Sequence, residues 1–196
     1  MNFRHKSAKR MRIMDKKKIL IIKGSARKEG FTNRLCNETE KFFAEYEISV
    51  FDTFKEEFLP CNGCNYCEKN GKCVKRDLDG FFEKFENADL IVFASPVYNG
   101  TFSAPMKSLL DRFQVYYTNF YANGKIQQIK KRRKAIFIAA AGRDGKVSFE
   151  YMKSQLKCAF SILNIELVNS VLCAYTDTQS TYIETLEELK RSLKDE

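Results

Sequence analysis

The run Ile19-Leu20-Ile21-Ile22-Lys23-Gly24-Ser25-Ala26-Arg27-Lys28-Glu29-Gly30-Phe31-Thr32-Asn33 decides the fold class. Four apolar residues without polar alternation describe a strand buried on both faces, and the glycines and hydroxyls after them describe a strand-to-helix turn. The same strand signal returns at Ile48-Ser49-Val50-Phe51, at Leu90-Ile91-Val92-Phe93-Ala94 and at Ala135-Ile136-Phe137-Ile138-Ala139-Ala140. A fifth signal begins at Ile165-Glu166-Leu167-Val168 and leads toward Val171-Leu172. Helical spacing fills the intervals. Leu35, Phe42 and Phe43 share a stripe within 33–45, and Met106, Leu109, Leu110, Phe113 and Tyr117 do so within 104–117; residues 149–163 and 181–193 read similarly. The expectation is an α/β, doubly wound five-stranded parallel sheet with helices on both faces.

The remainder of the chain bounds this reading. With 196 residues and 44% apolar content, the chain is long enough for one well-buried core and short for two. No run approaches the roughly 18 apolar residues of a membrane span, so a soluble, cytoplasmic protein is expected. The formal charge of +9 is concentrated at the N-terminus: residues 1–18 carry a net +7, leaving +2 for the rest. Residues 1–17 are therefore read as a basic, disordered tail and residues 18–196 as the domain. The second basic run, residues 130–134, is read as a solvated hairpin or loop. Neither run interleaves aromatic residues for stacking on bases, which argues against a nucleic-acid partner.

In open α/β sheets, ligands sit beyond the carboxyl ends of the strands, where the strand order reverses. The loop after the first strand brings Ser25, Arg27, Thr32 and Asn33 to a helix N-terminus, whose free N–H groups and dipole attract anions. The simpler alternative is an N-cap at Thr32 or Asn33. A nucleotide P-loop is excluded, because Gly24 and Gly30 have five residues between them instead of four and are followed by Phe31-Thr32 rather than Lys-Ser or Lys-Thr. The closely spaced triple glycine of dinucleotide sites is also missing, so a phosphate monoester is the better match. After the third strand, Pro96, Tyr98, Asn99 and Gly100 offer a stacking ring, backbone donors and little bulk for a flat aromatic ligand.

Four of the seven cysteines, Cys61, Cys64, Cys67 and Cys73, fall within thirteen residues. This density points to a metal or to redox chemistry. Structural zinc usually pairs two Cys-x-x-Cys knuckles across a longer spacer, which makes iron–sulfur the stronger metal reading. A metal-free loop and a redox-active thiol pair stay open. Cys36, Cys158 and Cys173 lie in apolar or amphipathic stretches and are expected to be buried. The only histidine, His5, lies in the tail and offers no general base.

Taken together, Gly-Ser-x-Arg with Gly30 and Thr32, Ser-Pro-Val-Tyr at 95–98, and Ser-x-Pro-x-Lys followed by Asp111-Arg112 resemble the NAD(P)H-dependent FMN reductase family of flavodoxin-like flavoproteins. The resemblance runs from about Lys18 to the fifth strand. It implies strand order 2-1-3-4-5 and an FMN whose phosphate meets Ser25, Arg27, Phe31, Thr32 and Asn33. It also implies a ring resting against Pro96, Val97, Tyr98, Asn99 and Gly100, with Ala141, Gly142 and Gly145 as the third wall. Phe31 departs from the pattern, where a small polar residue is usual.

The activity implied is oxidation of NAD(P)H with transfer to a quinone, flavin or other small acceptor, with no catalytic side chain. A homodimer is implied, and the aromatic segment 113–121 could supply either its surface or a lid. The cysteine spacing resembles the iron–sulfur branch of the same superfamily. That implies a [4Fe-4S] cluster on Cys61, Cys64, Cys67 and Cys73 and a ferredoxin-like electron donor. A non-enzymatic metal- or nucleic-acid-binding module is the alternative from another class.

Overall fold

The computed structural model describes residues 16–178 and 180–194. Residues 1–15 of the expected tail, His5 included, lie outside the described residues. The strands are β1 (Lys18–Lys23), β2 (Glu47–Asp52), β3 (Leu90–Pro96), β4 (Arg133–Ala140) and β5 (Ile165–Cys173). They form one parallel sheet in the order β2-β1-β3-β4-β5. The helices are α1 (Phe31–Phe42), α2 (Tyr66–Asn70), α3 (Asp79–Asn87), α4 (Ala104–Asp111), α5 (Gln114–Ala122), α6 (Lys146–Phe160) and α7 (Tyr182–Lys194).

Strand side chains alternate between two cores. Leu20, Ile22, Ile91, Phe93, Ala135 and Phe137 point to one face, where Phe81 and Phe85 of α3, Met106 and Leu109 of α4 and Met152 and Leu156 of α6 cover them. Ile19, Ile21, Leu90, Val92, Ile136 and Ile138 point to the other, against Leu35 and Cys36 of α1 and Leu189 and Leu193 of α7. Central strands covered on both sides can carry unbroken apolar runs, which is why β1, β3 and β4 are evident from sequence. The edge strands β2 and β5 are only partly buried. No helix among the described residues is long and apolar enough to cross a membrane.

Three expectations are corrected. The single helix over 104–117 is two helices, broken at Arg112 and Phe113, whose N–H groups reach back three residues to Leu109 and Leu110 at 3.0 Å. The break turns both side chains inward. Phe113 packs on Phe85, with ring centroids 4.8 Å apart, and the Arg112 guanidinium is buried. Arg133, in the basic run read as solvated, is 1% exposed; it donates to Phe85 O at 2.7 Å and Leu163 O at 2.5 Å. Burial pushes its guanidinium down to about 10. Finally, Cys158 is exposed, because it lies off the buried α6 stripe of Phe149, Met152, Leu156 and Phe160. Cys36 and Cys173 are buried as expected, and burial pushes the Cys36 thiol up to about 12.

Candidate active site

The strand order reverses between β1 and β3, and the loops leaving the carboxyl ends of the neighbouring strands meet there. They enclose an open cleft of about 230 Å³ lined by Ser25, Arg27, Gly30, Phe31, Thr32, Pro96, Val97, Tyr98, Ala140, Gly142, Thr176 and Asp177. The first wall is held by Asn33, whose side-chain amide donates to Ser25 O at 3.3 Å and Arg27 O at 2.9 Å. At the base of this wall, Gly24 donates its N–H to Ala94 O at 2.7 Å. A side chain at Gly24 would press on that carbonyl and on Met106, so the loop can leave β1 at this angle only with glycine there.

α1 opens toward the cleft. Its N-cap is Gly30 in extended conformation, and no side chain caps its first turn. The simpler alternative, a cap at Thr32 or Asn33, does not hold: both lie inside the helix, because Gly30 turns back through a 2.9 Å bond to Arg27 O. The first-turn amides are thus left to a ligand or to water. Phe31 has its own explanation, since its ring packs on Tyr182 of α7 with centroids 5.7 Å apart. Arg34 lies over both rings.

The second wall is Pro96, Val97 and Tyr98. Ser95 holds it from beneath: its buried hydroxyl donates to Pro96 O at 2.9 Å and accepts from Ser103 N–H at 3.1 Å. Asn99 and Gly100 do not line the cleft. They are the tip of a two-residue turn, with φ of +47° and +82°, between Tyr98 and Thr101, which bond to each other at 2.9 and 3.0 Å. The Asn-Gly pair is typical of this turn and would have identified it.

In the third wall only Gly142 of the expected residues lines the cleft. Ala141 is buried and bonded to Cys173 O, while Gly145, with φ of +68°, is the N-cap of α6. Asn33 likewise shapes the first wall without lining the cleft, and its Oδ1 is buried without a partner. Gly30, part of the first-loop motif, lines the cleft, and so do Ala140, Thr176 and Asp177, which sequence reasoning missed. The last two come from the loop after β5, which runs beside the loop after β4 through N–H bonds from Tyr175 to Arg143 O, Thr176 to Ala141 O and Asp177 to Gly142 O.

The four clustered cysteines line a second, much smaller cavity of about 30 Å³, with Val74, Lys75, Arg112, Gln114 and Val115 among its other walls. The connection carrying them is built on left-handed residues, Gly63, Asn65 and Gly71, and contains the single-turn helix α2. Thr118 Oγ1 lies 3.3 Å from Cys67 Sγ and 2.9 Å from Gln114 O, so its one proton can serve either acceptor. Among the described residues, no three Cys, His, Asp or Glu side chains are drawn together as a ready metal site.

A parallel sheet in this order, with a cleft at the carboxyl ends of β1, β3 and β4, defines a flavodoxin-like domain. More narrowly, the chain belongs to the NADPH-dependent FMN reductase family, whose sequence model matches residues 17–174. It is similar to an iron–sulfur flavoprotein of Methanocaldococcus jannaschii, with 38% identity over 112 residues that make up 56% of this chain and 58% of that one. It is also similar to an FMN-dependent NADH:quinone oxidoreductase of Clostridium beijerinckii, 24% identical over 87% of this chain and 92% of the other. Matched segments span about half the length of the curated iron–sulfur flavoproteins. Among solved structures, an FMN-dependent NADH-azoreductase of Bacillus anthracis in complex with FMN shares the fold. Its TM-score is 0.67 and its identity 18%, covering 91% of this chain and 96% of that one.

Proposed function

We propose that this chain is an FMN-dependent oxidoreductase that takes reducing equivalents from NAD(P)H and delivers them to a small acceptor such as a quinone or a free flavin. The observation that carries this reading is the convergence of four strand-end loops, those after β1, β3, β4 and β5, on one polar cleft at the uncapped start of α1. The residues present fit FMN. Ser25 and Thr32 offer hydroxyls, Arg27 a cation and α1 its first-turn amides to a phosphate monoester. The exposed Tyr98, with Pro96 and Val97, offers a wall for a flat ring, and Gly142 allows a close backbone approach.

When bound, FMN supplies the hydride chemistry. This chain's residues bind and orient: the first wall grips the phosphate end, the second backs the ring, and the third limits access from the β4 and β5 side. No acid or base is assigned to a side chain. A homodimer is part of the proposal, with Tyr117 and Tyr121 of α5, 48% and 50% exposed, contributing its apolar surface.

The test is the visible spectrum of the purified protein, with FMN quantified per chain and with anaerobic additions of NADH and NADPH. About one FMN per chain, bleached by either nucleotide and recoloured by a quinone, is expected. A colourless protein that takes up no FMN and oxidises neither nucleotide would sink the proposal.

The lining of one cavity by Cys61, Cys64, Cys67 and Cys73 favours a second reading, an iron–sulfur flavoprotein receiving single electrons from a ferredoxin-like donor. Four cysteines around one cavity suit a [4Fe-4S] cluster in donor type and number, and binding would draw together side chains that do not converge in its absence. The cavity is smaller than such a cluster, so loading requires the exposed connection to open outward. Iron and acid-labile sulfide measured after anaerobic reconstitution decide it.

A further inference from the structure

Arg112 is the one guanidinium in the wall of the cysteine cavity, and it is 2% exposed. One terminal nitrogen donates to Leu59 O at 2.7 Å. The other donates to Lys75 O at 2.9 Å and pairs with Asp77 Oδ1 at 2.8 Å. The second Asp77 oxygen accepts from Leu59 N–H at 2.8 Å. Leu59 precedes the first of the four clustered cysteines, while Lys75 and Asp77 follow the last. A single buried fork therefore ties the two stems of the connection together, and all four thiols hang between them. Its Nε is buried without a partner, in a residue that lines the same cavity.

The arrangement has a chemical consequence. Four thiolates can share one metal group only if the ends of their loop are held at a fixed separation, and residues behind the ligands commonly set that separation. Guanidinium suits the task because its donors diverge in a plane and reach several acceptors at once, which a lysine ammonium at the end of a flexible stem does not reproduce. Neutral carbonyls at both stems also explain why a cation can be buried here at all: it is hydrogen-bonded on both sides and paired with Asp77.

We infer that Arg112 is the positioning residue of the four-cysteine site: it holds the two loop stems together, so that the connection carrying Cys61, Cys64, Cys67 and Cys73 is anchored at both ends when an iron–sulfur group binds. This inference rests on the iron–sulfur reading above and adds to it a residue outside the cysteine motif. Arg112 is not among the residues lining the cleft, so the two sites can be tested separately.

The experiment uses the full chain, loaded with FMN and reconstituted anaerobically with ferrous iron and sulfide. Iron, sulfide and FMN per chain are measured for the wild type, Arg112→Gln, Arg112→Lys and Asp77→Asn. The expected result is wild-type loading, with iron retained against a chelator falling about tenfold in Arg112→Gln at unchanged FMN content. Arg112→Lys is expected to restore little, since it keeps the charge but loses the fork. Asp77→Asn, which weakens the same clamp from its more exposed side, should give a smaller loss and serves if Arg112→Gln does not fold. Equal iron retention in wild type and Arg112→Gln would overturn the inference alone. Full recovery by Arg112→Lys would assign the effect to charge and overturn the positioning role. A wild type that takes up no iron would overturn the iron–sulfur reading and the inference with it, leaving the FMN proposal to its own test.

Discussion

Asp177 lies so close against Gly142 that a methyl group on the glycine would collide with its carboxylate. The contact joins the loop after β4 to the loop after β5, and both belong to the cleft. Asp177 is exposed and can swing away, so Gly142→Ala should change the melting temperature little and the cleft considerably. We expect weaker FMN binding, measured by quenching of flavin fluorescence. The loss should largely vanish when Asp177→Ala is added, because the clash has then been removed. Additive losses in the double variant would show that Gly142 acts through something other than this contact.

Arg27 carries a second expectation. It is the cation of the first wall, beside the uncapped α1 and the hydroxyls of Ser25 and Thr32. A charge-assisted contact to phosphate contributes roughly 1.5–3 kcal/mol, less at an exposed side chain. Arg27→Ala should therefore raise the dissociation constant for FMN about tenfold while leaving that for riboflavin, which lacks the phosphate, unchanged. Equal weakening of both ligands would place Arg27 at the ring or polyol instead of the phosphate.

Which parts could be read from sequence follows from the physics of each element. β1, β3 and β4 declare themselves because a strand covered on both faces needs no polar alternation, and the strand-end loops declare themselves through glycine, hydroxyl and arginine at the sheet edge. Thr176 and Asp177 were hidden, because their loop joins the cleft only through backbone bonds to Ala141 and Gly142 that no residue type announces. The α4–α5 break was hidden too, since the apolar spacing runs on unchanged through Arg112 and Phe113. Asn99-Gly100 was legible as a turn, and the pair forms the tip of the loop beside Tyr98.

Arg132 and Arg133 are adjacent in sequence and opposite in environment. Arg132 makes a surface pair with Glu166 at 2.7 Å, its side chain 77% exposed, whereas Arg133 satisfies two buried carbonyls. Arg132→Met should change stability by at most about 1 kcal/mol. Arg133→Met strands Phe85 O and Leu163 O and should cost about 3 kcal/mol. Urea denaturation of the two variants checks the contrast, and similar midpoints would contradict the buried role of Arg133.

Asp77 predicts an acid sensitivity confined to the cysteine connection. Burial pushes its carboxyl up, but the Arg112 guanidinium and the Leu59 N–H outweigh this and hold it below its ordinary value of 3.8. A carboxylate whose folded pKa is depressed stabilises the fold above the unfolded value and loses that contribution as pH falls through the folded one. The clamp should therefore be intact at neutral pH and weaken as pH falls through the ordinary carboxylate value of 3.8 toward the lower folded one. Protonation would leave Arg112 buried with its two carbonyls but without its anion, so the stems should loosen before the sheet does. Hydrogen exchange followed by mass spectrometry across this range should show peptides covering 59–77 losing protection, beyond the intrinsic pH dependence of exchange, at a higher pH than those covering β1 and β3. In Asp77→Asn the same peptides should be less protected at neutral pH and show no further acid transition of their own. Loss of protection in step with the central strands, in wild type and variant alike, would mean that Asp77 does not govern the connection.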